Sequence, residues 1–140
     1  MVAGKIRQSR IIFFISLGVL LIALTQKTYC TPDCGSYGSG FVAFVFGILG
    51  IFVGGAYITW FANPFLILSW LFIGKRPWVS LVLSGFALAI AFSFLLYDEI
   101  MINEAGHYGD IIGYALGYWL WICSIGIMFL GSLFCVVRKK

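Results

Sequence analysis

The chain has 140 residues, of which 62% are hydrophobic and 10% charged, with a formal net charge of +4 and a mean hydropathy of +1.06. A soluble domain carries about 25% charged and roughly 45–50% apolar residues, so this chain cannot clothe a water-soluble globule. Disorder needs low hydropathy and high charge and is excluded as well. The length allows one domain, and an integral membrane protein remains.

A bilayer core of about 30 Å takes around 20 apolar residues per helix. Four stretches lack Asp, Glu, Lys, Arg and His: 11–25, 36–74, 77–97 and 111–137. They predict an all-α integral membrane protein, a bundle of four transmembrane helices over about 11–27, 40–61, 78–97 and 111–137. The first stretch follows Lys5, Arg7 and Arg10 and has the look of a signal-peptide core. No small-x-small cleavage site follows Leu24, so a retained helix is expected.

Cys30 and Cys34 come next, in Cys-Thr-Pro-Asp-Cys. A disulfide is expected between them on the oxidising side of a membrane, with Pro32-Asp33 making the turn. As a redox pair they would make the chain a membrane thiol oxidoreductase. Against that stand the three-residue spacing, the absence of Cys from 98–110 and the lack of an outer Arg. Cys123 and Cys135 read as small apolar packers in the fourth helix.

The second stretch is too long for one straight span. A helix over 40–74 would run roughly 50 Å. Pro64 removes a donor and crowds the carbonyl of Trp60, so a bend or break is expected at Asn63-Pro64, with Asn63 capping an interfacial or re-entrant segment over 64–73; one long, tilted and kinked helix is the other arrangement that fits. Small residues recur at helical spacing. Gly47, Gly50 and Gly54 mark the second helix; Ser80, Ser84, Ala87 and Ala91 mark the third; Gly109, Gly113 and Gly117 form overlapping G-x-x-x-G steps into the fourth. These predict close helix packing, within the chain or against a partner helix.

Charge gives a direction. With four crossings and the N-terminus in the cytoplasm, every Lys and Arg except Lys27 falls inside, and Asp33, Asp98, Glu99, Glu104 and Asp110 fall outside. Both termini are thus expected inside a bacterial inner membrane, with outer loops at 28–39 and 98–110. The cations are dispersed topology markers that sit against anionic lipid and do not form a nucleic-acid patch. The second outer loop gathers Asp98, Glu99, Glu104, His107 and Asp110 as a possible acidic site. No metal or catalytic signature accompanies it, no cofactor is implied, and no ionisable Asp, Glu, Lys, Arg or His falls within a span, which argues against pumps and proton-coupled transporters.

These readings point to a non-enzymatic membrane protein that recognises a membrane-protein partner, or a second copy of itself, through helix faces and the two outer loops. An immunity protein or an accessory subunit of a membrane complex would act this way. A homo-oligomeric cation-selective pore is the alternative, since an acidic mouth concentrates cations. It is weakened by the sparseness of Ser80, Ser84, Ser93 and Ser124 as a polar stripe.

Overall fold

A computed structural model of the chain describes residues 2–32, 38–102 and 105–138, with side chains from residue 7 onward. In chain order the elements are α1 (Val2–Leu24), β1 (Tyr29–Cys30), α2 (Gly40–Gly50), a 3₁₀ segment (Gly55–Phe61) running directly into α3 (Ala62–Phe72), α4 (Pro77–Ser93) with a 3₁₀ turn (Phe94–Leu96), β2 (Glu99–Met101), β3 (Tyr108–Asp110), β4 (Gly113–Tyr114) and α5 (Leu116–Val137). Four helical rods are long and apolar enough to cross a membrane: Arg7–Leu24, Gly55–Phe72, Pro77–Leu96 and Leu116–Val137. They carry bulky apolar side chains on the outside, among them Phe14, Leu21, Leu71, Phe86 and Leu130, as a lipid-facing surface requires.

The second rod corrects the reading of 36–74. The break falls at Gly54 and Gly55, whose φ angles of 83° and 61° lie in the left-handed region that side-chain-bearing residues avoid. Asn63 and Pro64 sit in the first turn of α3, where a missing N–H breaks no helical bond. The crowding that Pro64 imposes is relieved upstream, where the chain is wound as 3₁₀ helix. That winding also lengthens the rod, so its 18 residues reach about 30 Å. Residues 64–72 therefore continue the helical rod that starts at Gly55, and the helix expected over 40–61 is broken at Gly54-Gly55. The short helix is α2, whose 11 residues extend only about 16 Å.

Asn63 does not cap α3. Phe61 holds the N-cap position without a side-chain bond, and the Asn63 side chain turns into the bundle. The Gly109, Gly113 and Gly117 series is also corrected. Gly109 lies in β3, Gly113 in β4 and only Gly117 in α5, so the three share no helical face, and α5 begins at Leu116 rather than at 111. A four-residue spacing of glycines is equally compatible with short strands and turns.

α1 packs antiparallel on α5, α5 on α4, and α4 on α3. Polar bonds tie these interfaces. Ser16 Oγ donates to the Ser124 carbonyl at 2.9 Å while Ser124 Oγ donates to the Ser16 carbonyl at 2.8 Å, and Trp70 Nε1 of α3 donates to Ser16 Oγ at 3.0 Å. Ser80 Oγ donates to the Ser69 carbonyl at 2.8 Å, leaving Ser132 Oγ to donate to Ser80 Oγ at the same distance. All five of these serines are buried. The α4 stripe of Ser80, Ser84, Ala87 and Ala91 lies buried, as its spacing predicts.

Two strand pairs close one end of the bundle. β1 pairs antiparallel with β4, setting Tyr29 opposite Tyr114, and β2 pairs with β3, setting Glu99 opposite Asp110. Around the first pair, Ile112 N–H donates to the Cys30 carbonyl, Ala115 N–H to Thr28 and Gly117 N–H to Lys27, at 2.7–2.9 Å. The last of these satisfies a free amide in the first turn of α5, which has no side-chain cap. A Cβ on Gly117 would stand 2.6 Å from the Lys27 carbonyl oxygen, so this contact, rather than a helix stripe, requires the glycine.

The fold separates charge in space. α1 and α5 run in opposite directions, with Ile12 beside Gly131 and Ala23 beside Gly117, and Gly74 lies near Ser9. Arg7, Arg10, Lys75, Arg76 and Arg138 therefore share one end. Lys27, Asp98, Glu99 and Asp110 share the strand-capped end.

Candidate functional site: a cavity beneath the strand cap

Under the cap, where α1, α2, the 55–61 segment and α5 converge, lies a cavity of about 90 Å³. Its construction starts with the glycines of α2. Gly47 and Gly50 leave no room for a Cβ against the rings of Trp60 and Tyr57, so α2 folds back flat on the 3₁₀ segment as a helical hairpin turned at Gly54-Gly55. The Trp60 indole N–H donates to the Phe44 carbonyl at 2.7 Å, which latches the hairpin. Gly47, Gly50 and Gly117 thus do pack closely, against this chain's own residues. Gly54 meets nothing within 4 Å and serves the backbone turn.

The wall of the cavity is mostly apolar, with Leu20, Ala23, Phe44, Ala56, Phe94 and Ile100 among its lining residues. Its polar members are held in place. Tyr118 Oη donates to the Ala91 carbonyl at 3.0 Å, Thr59 Oγ1 to the Ala56 carbonyl at 2.6 Å and Tyr57 Oη to the Met101 carbonyl at 2.7 Å. Asn63 is 5% exposed, and its Oδ1 accepts from Trp121 Nε1 at 2.9 Å. That bond joins α3 to α5 and fixes which way the amide points.

The cap above carries the acidic residues read from the sequence. Asp98, Glu99, His107 and Asp110 are all exposed, and the β2–β3 register places the Glu99 and Asp110 carboxylates side by side. Glu104 lies outside the described residues. Among the described residues no group of three His, Cys, Asp or Glu stands close enough to hold a metal ion. Tyr29 is buried under the cap, and that desolvation holds its hydroxyl well above the ordinary tyrosine range. Burial, then the Asp98 carboxylate, raises Tyr114 in the same sense.

Cys30 sits half-buried on β1. Cys34 lies outside the described residues, and with it the expected disulfide. Cys123 and Cys135 are free thiols, and Cys123 is exposed on α5, so it faces outward and does not pack.

Sequence reasoning missed the Ser16–Ser124–Trp70 clasp and the burial of Asn63 away from any cap. The signal for the first was a lone serine in the otherwise apolar stretch 11–24 of α1, since an exposed hydroxyl has no partner in hydrocarbon. Comparison with protein-family models, with curated proteins and with solved structures finds no match to this chain.

Proposed function

We propose that this is a non-enzymatic multi-pass membrane protein that acts by recognition, binding a membrane partner through its strand-capped end and adjoining helix faces. The arginine-rich end would lie in the cytoplasm of a bacterial cell and the cap outside. The observation that carries the reading is the cap itself. Two strand pairs hold loops that hydropathy alone would leave irregular, and they present Glu99, Tyr108, Asp110 and Ile112 outward from a rigid bundle. Loops held on a rigid scaffold are where binding residues concentrate. An immunity protein or an accessory subunit uses a surface of this kind.

The pore reading has less support. Ser80, Ser84 and Ser124 are fully buried and bonded to neighbouring helices or to their own backbone, so one chain offers no wetted stripe. It then rests on the acidic cap and on assembly of several copies.

Photo-crosslinking from native membranes tests the recognition reading. A crosslinking residue at Tyr108 or Ile112 should give one discrete adduct, while the same residue at Leu130 on the lipid-facing side should give none. An adduct at twice the 15.5 kDa chain mass would identify the partner as a second copy. No discrete adduct from either cap position would overturn the reading.

A further inference from the structure

The cavity holds one polar group whose bonding is incomplete. The Asn63 side-chain nitrogen carries two N–H donors and bonds to no described residue, whereas its oxygen is engaged by Trp121. Among the described residues no fully buried side-chain nitrogen or oxygen lacks a partner, so this nitrogen is not sealed in protein, and Asn63 lines the cavity. Turning the amide over would set N–H against the Trp121 N–H, so the donor stays aimed at the space.

The surroundings define what belongs there. Among the described residues no Lys or Arg lines the cavity, so an anionic oxygen would be buried without a counter-charge. Here the donor groups of Trp60, Thr59 and Tyr118 are engaged elsewhere. The site therefore suits an apolar body with a single neutral acceptor. About 90 Å³ accommodates a ring or an ester group, with the rest of an amphiphile extending beyond it.

We propose that this cavity binds the carbonyl group of a neutral lipophilic moiety, with Asn63 Nδ2 donating to the oxygen and the indoles of Trp60 and Trp121 beside it. The ester carbonyl of a bilayer phospholipid and the ketone of a free lipophile share this chemistry. The site is separate from partner recognition at the cap, and Glu99→Ala should leave it unchanged.

The test uses the full-length protein in maltoside detergent, read by tryptophan fluorescence and by the thermal midpoint. Four probes serve: dioctanoylphosphatidylcholine, its dioctyl ether analogue, decanophenone and decylbenzene, the last pair differing only in a carbonyl replaced by a methylene. At least one carbonyl probe should bind saturably, and at least tenfold more tightly than its carbonyl-free analogue. Binding of the diester alone identifies a bilayer lipid, and binding of the ketone alone a free lipophile.

Asn63→Leu strands the Trp121 N–H and can unfold the bundle, so it is paired with Trp121→Phe. The double variant should bind at least tenfold more weakly than Trp121→Phe alone, which keeps the Asn63 donor. The proposal is overturned if neither carbonyl probe saturates, if ketone and hydrocarbon bind alike, or if the double variant binds as tightly as Trp121→Phe alone. Any of these would leave water, or nothing ordered, in the cavity.

Discussion

Ser16 and Ser124 exchange hydroxyl-to-carbonyl bonds across α1 and α5, and Trp70 adds a third bond from α3. Apolar burial does not draw helices together in lipid, so close packing and polar bonds of this kind decide which faces meet. Interhelical hydrogen bonds in membranes average about 0.6 kcal/mol and reach about 2 kcal/mol. We expect Ser16→Ala to lose more than Ser124→Ala, because it also orphans the N–H of the half-buried Trp70, an additional about 1 kcal/mol. Denaturation in mixed detergent micelles measures both. A second pair behaves differently. Asn63→Leu should destabilise by about 1–3 kcal/mol, whereas Asn63→Leu with Trp121→Phe should recover most of the loss, because both partners are then apolar. The sign at Tyr29 is also fixed. Its hydroxyl is held protonated by burial, so its contribution is complete below the ordinary tyrosine pKa of about 10 and fades as pH rises above it. Alkaline titration should therefore loosen the cap above about pH 10, and Tyr29→Phe should remove that component.

At the scale of elements, the turn between α2 and the second rod is set by glycine and the winding after it by proline. Gly54→Ala or Gly55→Ala places a Cβ at φ of 83° or 61°, which costs about 1–2 kcal/mol each and should free α2 from the bundle, seen as new protease cleavage near 51–55. Pro64→Ala breaks no backbone bond and should change stability by less than about 1 kcal/mol. The opposite ranking follows from reading Pro64 as the break. This is where sequence reasoning fell short, for a physical reason. Proline signals a perturbed helix without saying whether the chain ends, kinks or tightens, and the first-turn position that makes it harmless depends on where the rod begins. Glycine spacing was similarly ambiguous. Gly47 and Gly50 are close-packing glycines, but what they admit is Trp60 and Tyr57 from the same chain; Gly117 admits a loop carbonyl. The α4 stripe was legible because serine and alanine at steps of four and three have one buried face in any bundle.

For the whole molecule, the number of apolar rods and the place of three of them were legible from charge-free length alone, since hydrocarbon tolerates little else. The cap was not, because strands of two or three residues leave no periodicity to read. The gathering of Arg7, Arg10, Lys75, Arg76 and Arg138 opposite Asp98, Glu99 and Asp110 yields a prediction about orientation. Cysteine placed at Arg76 should react with an impermeant maleimide only after the cells are opened, and cysteine placed at Glu99 should react in intact cells. Reversed labelling would invert the molecule and move the proposed recognition surface into the cytosol.

The clasp between α1 and α5 joins residues 108 positions apart, so the helix made early finds its closest neighbour late. While the ribosome is still producing α3 and α4, the Ser16 hydroxyl must wait in lipid or be sheltered by the insertion machinery. Bundle closure is thus a late event in biogenesis, governed by emergence of the stretch around Ser124. Chains stopped short of that point would hold three inserted rods, with α1 lacking its main neighbour α5, a form suited to membrane-embedded proteases.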